Sequence, residues 1–208
     1  MPALGRDPSL RQRRAAVEAR VLGAAREMLE EGDSLGGLSV ERIAQRAGIS
    51  RPAFYDYFRD KRDLLVRLVE EAVGPVLREA DEEAGGRPSG PDEIPHTIRA
   101  AMAFARENAS VFRATVEASA YDPVVRGLWR DRILGRFVAV IERRIRAQVA
   151  RGAALPLDPR AAAIALVAMV EHSLYHHVSA DDGVADEQLV ETLVTIAVRA
   201  VYGPTAPA

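Results

Sequence analysis

Cysteine is absent from all 208 residues, which excludes disulfides, thiolate zinc sites and any thiol redox switch of the chain's own. Lysine occurs once, at Lys61; the other 27 of the 28 basic residues are arginine, so any single arginine is weak evidence of function. No apolar run approaches the ~20 residues that a membrane-spanning helix needs. The N-terminus is arginine-rich without the apolar segment of a signal peptide, so the expectation is a cytoplasmic chain with no membrane partner. Gly-rich phosphate loops, a GxSxG elbow and cysteine nucleophiles are also missing, which leaves an enzyme little to stand on; no catalytic residue and no cofactor is expected. Nor does any segment of useful length alternate with period two. Apolar residues recur instead at i, i+3 and i+4, and the fold class read from them is all-α.

The most specific pattern lies between Ser39 and Lys61, SVERIAQRAGISRPAFYDYFRDK. It spells two short helices joined by a tight turn, the layout of a DNA-reading helix-turn-helix. Ser39 suits an N-cap, Leu38 can staple onto Ile43, and Glu41 complements the positive end of the helix dipole. Gly48 supplies the left-handed residue that ends the first helix, and Ser50 caps the next. Over Arg51 to Phe58, Phe54 and Phe58 point inward at i and i+4. The outward face is left to Arg51, Pro52, Ala53, Tyr55 and Tyr57. Arginine reads guanine or phosphate, small apolar groups touch a thymine methyl, and tyrosine hydroxyls donate to phosphates. Lys61 follows, placed to take a phosphate as a point charge. Two helices with a glycine turn also occur in proteins that never touch nucleic acid.

The longer composite GISRPAFYDYFRDKRDLL, from Gly48 to Leu65, resembles the recognition segment of the TetR family of bacterial one-component repressors. That resemblance implies a double-stranded DNA operator as partner and DNA contacts from Ser39, Arg51, Pro52, Ala53, Tyr55, Tyr57 and Lys61. Asp56 shares the exposed row and is an unfavourable neighbour for phosphate. The expected layout is a three-helix DNA-binding domain with an N-terminal arm over 1–66 and a helical ligand-binding and dimerisation domain over 67–208. Charge follows the same division. Residues 1–67 hold 13 basic against 10 acidic side chains and the remainder 15 against 20, so the net −2 conceals a basic N-terminal part.

The first helix is expected over Leu10 to Glu31, with Val17, Val21, Leu22, Ala25, Met28 and Leu29 facing the core. A flexible arm is expected ahead of it, and Arg6, Arg11, Arg13 and Arg14 cluster around the junction, either reaching for DNA or simply solvated. A long helix runs from Lys61 toward Ala84, and Gly74-Pro75 should kink or break it. EAGGRPSGPDE then reads as a loop. Asp122-Pro123 and Asp158-Pro159 read as N-cap plus first-turn proline, Gly152 as a helix stop and Asp186 as the last cap. Two late segments, AAAIALVAMV from Ala161 and LVETLVTIAV from Leu189, are apolar nearly all round. They predict a homodimer whose paired helices make a four-helix bundle, with Val194 and Val198 in it or in the adjacent core; a fully internal helix pair in a monomer is the alternative.

LWRDRILGRF from Leu128, MVEHSLYHHV from Met169 and TLVTIAVRAVYG from Thr192 resemble the EthR branch of TetR repressors, which bind hydrophobic ligands in a long tunnel. Carried over by position, the resemblance implies a small hydrophobic effector lined by Ile94, Ile98, Met102, Ile133, Arg136, Val140, Val167, Val170, Glu171, Leu174 and Tyr175. Val167 and Val170 stand where that branch carries ligand-binding amides, and Arg136 replaces an aromatic residue, so the same ligand does not follow. An apolar stripe with two polar handles also describes ordinary core packing, and Arg136 with Glu171 reads equally as a buried ion pair or an anchor for a charged effector. His172 and His176, at i and i+4, have the spacing of two metal ligands on one helix face. The glutamate precedes the first histidine, so the HExxH protease geometry is absent, and surface or interface histidines are the alternative to a metal-dependent sensor or enzyme.

Overall fold

The computed structural model describes residues 8–84, 90–180 and 182–204, which places Arg6 outside the described residues. Among them there is no strand, and the chain is organised as two compact units, Met1–Glu70 and Glu71–Ala208. The division falls inside a helix, four residues later than the charge and motif pattern suggests.

The first unit is built from α1 (Pro8–Glu30), α2 (Val40–Arg46), α3 (Arg51–Phe54) and the start of α4 (Lys61–Ala84). Val21, Ala25, Met28 and Leu29 of α1 are buried, as are Ile43, Phe54, Phe58, Leu64, Leu65 and Leu68, so one apolar row from each helix closes a small core. Val17 and Leu22 are half-buried at its edge. Ser39 Oγ accepts from the Arg42 amide at 3.2 Å and caps α2. At the other end the Gly48 amide donates to the Gln45 carbonyl and the Ile49 amide to the Ala44 carbonyl. This double closure needs the left-handed backbone that Gly48 adopts at φ 67°. Ser50 Oγ then accepts from the Ala53 amide and starts α3.

The second unit holds the rest of α4, then α5 (Ile94–Glu107), α6 (Ala109–Tyr121), α7 (Pro123–Arg126), a π-helical stretch Gly127–Leu134, α8 (Gly135–Ala150), α9 (Pro159–Ser179) and α10 (Asp186–Tyr202). α8 lies along α9, and α5 packs on both α9 and α10. Asp122 and Asp158 cap α7 and α9 through the Val124 and Ala161 amides. Gly152, at φ 66°, stops α8.

Of the two outcomes expected at Gly74-Pro75, the break does not occur: α4 runs through to Ala84. Pro75 is exposed, so its ring lies on the solvent side, where the one carbonyl it deprives of a partner can bond water. Two further expectations need correction. The loop is shorter than EAGGRPSGPDE, because Pro91–Glu93 form a 3-10 turn leading into α5; residues 85–89 lie outside the described residues. The cap of α10 is Ala185, not Asp186; Gln188 reaches back to the Ala185 amide.

Asp186 is diverted into a cluster joining the ends of α5, α9 and α10. The buried His177 ring meets Asp182 through Nδ1 at 2.9 Å and Asp186 through Nε2 at 2.8 Å. Arg106 donates to the same Asp186 carboxylate and lies 2.9 Å from His177 Nε2. Burial pushes the His177 imidazolium down and Arg106 adds to that, but the hydrogen bonds to Asp182 and Asp186 outweigh both and hold it above its ordinary value. Arg106 first and His177 second hold Asp186 at about 2. A raised histidine stabilises the fold below its unfolded value near 6.5 and loses that contribution as pH rises through the folded value. The lowered Asp186 stabilises above the ordinary carboxylate range and loses its contribution as pH falls toward about 2. The wild-type thermal midpoint should therefore fall more between about pH 6 and 8.5 than that of His177→Gln. Parallel pH profiles of the two proteins would discard the imidazolium account.

Candidate DNA-reading surface and ligand cavity

On the first unit, α3 is one turn long where the sequence predicts Arg51 to Phe58. After Phe54 the backbone tightens, with amides of Tyr55, Asp56 and Tyr57 donating three residues back instead of four. The inward and outward division survives this tightening. Phe54 and Phe58 are buried with ring centroids 5.4 Å apart, while Arg51, Pro52 and Tyr55 are exposed and Ala53 and Tyr57 half-buried. The Arg51 guanidinium lies 5.7 Å from the centre of the Tyr55 ring and within 3.5 Å of its hydroxyl, so these two side chains extend from the surface together. Ser39 is exposed and keeps its hydroxyl proton, because the cap uses only an oxygen lone pair.

Two positions do more than the sequence shows. Lys61 Nζ donates to the carbonyls of Gly36 and Leu38, at 3.0 and 3.2 Å, and so ties α4 to the α1–α2 connection. One of its three N–H groups is left for a phosphate. Arg14, within α1, donates to Glu18 and to the Asp56 carbonyl, with its guanidinium 5.1 Å over the Tyr57 ring. Arg11 and Arg13 are exposed along the same helix.

The second unit holds a partly open cavity of about 230 Å³. Its walls are overwhelmingly apolar. Val73 and Val76 come from α4, Ile94, Ile98, Ala101 and Phe104 from α5, Phe112 from α6, and Ala197 and Val201 from α10. Leu134 comes from the end of the π-helical stretch, Phe137, Val140, Ile141 and Ile145 run along α8, and Val167, Val170 and Leu174 along α9. From Leu134 to Ile145 that wall extends roughly 16 Å at the helical rise per residue. One end carries the Trp129 indole, which donates to Glu171 Oε1 at 3.0 Å. The other carries Glu93, His96, Thr97, Arg144 and Tyr202, the last with its phenol pushed up by burial. Apolar walls with a few polar groups at the ends suit an elongated apolar molecule.

Ile94, Ile98, Val140, Val167, Val170, Glu171 and Leu174 line this cavity as the sequence reading placed them; Met102, Ile133, Arg136 and Tyr175 do not. Met102 is buried but turned out of the α5 row that runs from Ile94 through Ala101 to Ala105. Around the start of α8 the neighbouring residues Leu134 and Phe137 occupy the wall in place of Ile133 and Arg136, while Val140 lies on it as the resemblance placed it. Tyr175 stands edge-on to Phe112, 6.3 Å away, on the flank of α9. The residues that sequence reading missed are chiefly Phe104, Phe112, Trp129 and Phe137, which form an aromatic wall, and Arg144. Glu171 answers to the Trp129 indole, a partner that no local spacing reveals. His172 and His176 are exposed on α9, and among the described residues no group of three or more metal-binding side chains surrounds them or occurs elsewhere. No described helix is long and apolar enough to cross a membrane.

Comparison with known proteins follows the same two-part division. Residues 21–68 match the family model for bacterial regulatory proteins of the tetR family, and residues 94–203 match the model for the C-terminal domain of transcriptional regulator EthR. The HTH-type transcriptional regulator EthR of Mycobacterium tuberculosis is 30% identical over 196 residues, covering 89% of this chain and 87% of that protein. Its counterpart in Mycolicibacterium smegmatis is 29% identical over 189 residues, covering 89% and 86%. Among solved structures, the transcriptional regulator FadR from Bacillus subtilis in complex with stearoyl-CoA superposes with a TM-score of 0.74 at 18% identity, covering 88% of this chain and 98% of that one. SmeT, the repressor of the Stenotrophomonas maltophilia multidrug efflux pump SmeDEF, gives 0.71 at 20%, covering 91% and 96%. At those identities the structural likeness establishes the fold. With a helix-turn-helix at one end and an EthR-type domain over more than half its length, the chain belongs to the TetR family of transcriptional regulators and is not an enzyme.

Proposed function

We propose that the chain is a homodimeric repressor that leaves its double-stranded DNA operator when a small hydrophobic effector fills the cavity. In this reading residues 1–66 bind DNA, and 67–208 bind the effector and dimerise. The observation that carries it is the apolar cavity with Val73 and Val76 of α4 on its wall. That same helix begins at Lys61 beside the reading surface. An occupant pressing on α4 moves Lys61 and changes the spacing of the two recognition helices. Release then requires tighter effector binding to the DNA-free form than to the DNA-bound form. The stearoyl-CoA held by the Bacillus subtilis regulator supports an elongated apolar effector, and SmeT supports repression. Ser39, Arg51, Pro52, Ala53, Tyr55, Tyr57 and Lys61 are the proposed DNA contacts.

The direct test is capture of fragmented source DNA by purified protein, followed by sequencing. A recurring site with two-fold symmetry is expected, and uniform recovery of all sequences would sink the reading. On the recovered operator, Tyr55→Phe should weaken binding with no change in thermal midpoint. Lys61→Ala should weaken binding, flatten the salt dependence by a slope of ~0.9 and also lower the midpoint, since two carbonyls lose their donor. Operator affinity and salt slope unchanged in both variants would remove these residues from the interface.

A further inference from the structure

We propose that His172 and His176 form a bidentate site for a divalent transition-metal ion on the exposed face of α9. Both rings are exposed, and their Nε2 atoms lie 3.1 Å apart with the rings nearly perpendicular, at 87°. With metal–nitrogen bonds of ~2.0–2.1 Å, that separation sets a bite angle of roughly 95–100°, between the ~90° of octahedral and the ~109° of tetrahedral coordination. The separation of the two nitrogens is therefore one that a single ion can span. Spacing of i and i+4 fixes the pair on one helix face. Tyr175 stacks beside His172 at 6.4 Å and stands edge-on to His176 at 5.4 Å, which restricts ring rotation.

Without metal, the 3.1 Å contact is a hydrogen bond in which one Nε2–H donates to the other Nε2, and an ion replaces the shared proton. Imidazole ligands favour zinc, nickel and copper over magnesium or calcium. No third metal-binding side chain stands with the pair among the described residues, so the ion keeps open positions directed away from α9. Ala165 and Ala168, exposed on the same helix, leave that approach clear. Water fills the open positions in a single protomer; in a dimer packed through α9 the same pair of a second copy is available. The site itself requires neither the dimer nor the effector.

The test uses the full-length, untagged protein, titrated with zinc by calorimetry and with cobalt by visible absorption. One ion per protomer is expected, or one per two protomers where two copies share it. His172→Gln and His176→Gln should each weaken binding at least tenfold, because each removes the chelate. Both side chains are exposed, so the thermal midpoint without metal should not change, and operator binding provides a second check that the variants are folded. Magnesium should give no signal. Absence of zinc and cobalt binding in the wild type would overturn the proposal. So would binding that both variants retain at wild-type strength, which would place the ion elsewhere.

Discussion

Ile164→Arg and Ile196→Arg should each convert a two-fold assembly into monomers and cut operator affinity by ~10²–10⁴-fold, the range lost when two linked binding events become independent. Ile164 of α9 and Ile196 of α10 are 49% and 45% exposed in the single chain, which is unusual for isoleucine on helices this apolar. In the proposed dimer these side chains are covered by the second copy. An arginine there brings a charge with no partner into an apolar contact, at a cost of several kcal/mol. The informative control is Val194→Arg. Val194 and Val198 are already 5% and 0% exposed within the protomer, so the sequence expectation that they could mark the bundle resolves in favour of the adjacent core. A charge there should unfold the second unit, not merely separate two folded copies. Sedimentation distinguishes the cases: folded monomers for the isoleucine variants, aggregated or unfolded chain for Val194→Arg. A wild-type protein that sediments as a stable monomer, and binds its operator as one, removes the basis of this prediction.

The reading surface was legible because its determinants are local. Capping by Ser39 and Ser50, the left-handed Gly48 and the inward pair Phe54 and Phe58 each depend on residues no more than five positions away. Sequence therefore exposes them directly. What it concealed are bonds across 23 to 42 residues, from Lys61 to the Gly36 and Leu38 carbonyls and from Arg14 to the Asp56 carbonyl. These accept any side chain upstream, since the acceptors are backbone, and so leave no residue pattern.

The cavity was legible only in part for a different reason. On α9 the lining follows ordinary helical spacing, and Val167, Val170, Glu171 and Leu174 fall where that spacing puts them. Around the start of α8, Leu134 and Phe137 line the cavity and Ile133 and Arg136 do not, although Val140, placed by the same family resemblance, does. Ile133 and Leu134 are neighbours of equal hydrophobicity, so hydrophobicity alone does not report which of them faces the cavity. Asp186 shows the same limit at a helix start. Its type and place suit a cap, but Arg106 and His177 claim its carboxylate from 80 and 9 residues away.

Filling the cavity from its wall should abolish the effector response without unfolding the protein. Val170 lines the cavity on α9, between Val167 and Leu174, and the empty space beside it is about 230 Å³. Val170→Trp can therefore direct its ring into a void, where it adds contacts and displaces nothing. In a packed core the same change typically costs ~1–3 kcal/mol through forced rotamers and backbone shifts. The two situations predict opposite movements of the thermal midpoint, upward or unchanged for a void, downward for a core. Long-chain apolar compounds supply the second arm. A ligand at a hundred times its dissociation constant stabilises by about 2.7 kcal/mol, which for a chain of this size raises the midpoint by roughly 5–11 °C. That rise should occur in the wild type and vanish in Val170→Trp, whose ring occupies the same space. On DNA, a ring that fills the cavity in the ligand's place should release the operator constitutively. A ring that only blocks entry should leave repression permanent. Either result supports the cavity as the control site. A lower midpoint for the variant, together with no shift of the wild type by any compound, would sink the effector reading and leave a helix-turn-helix regulator governed by its abundance or by a protein partner.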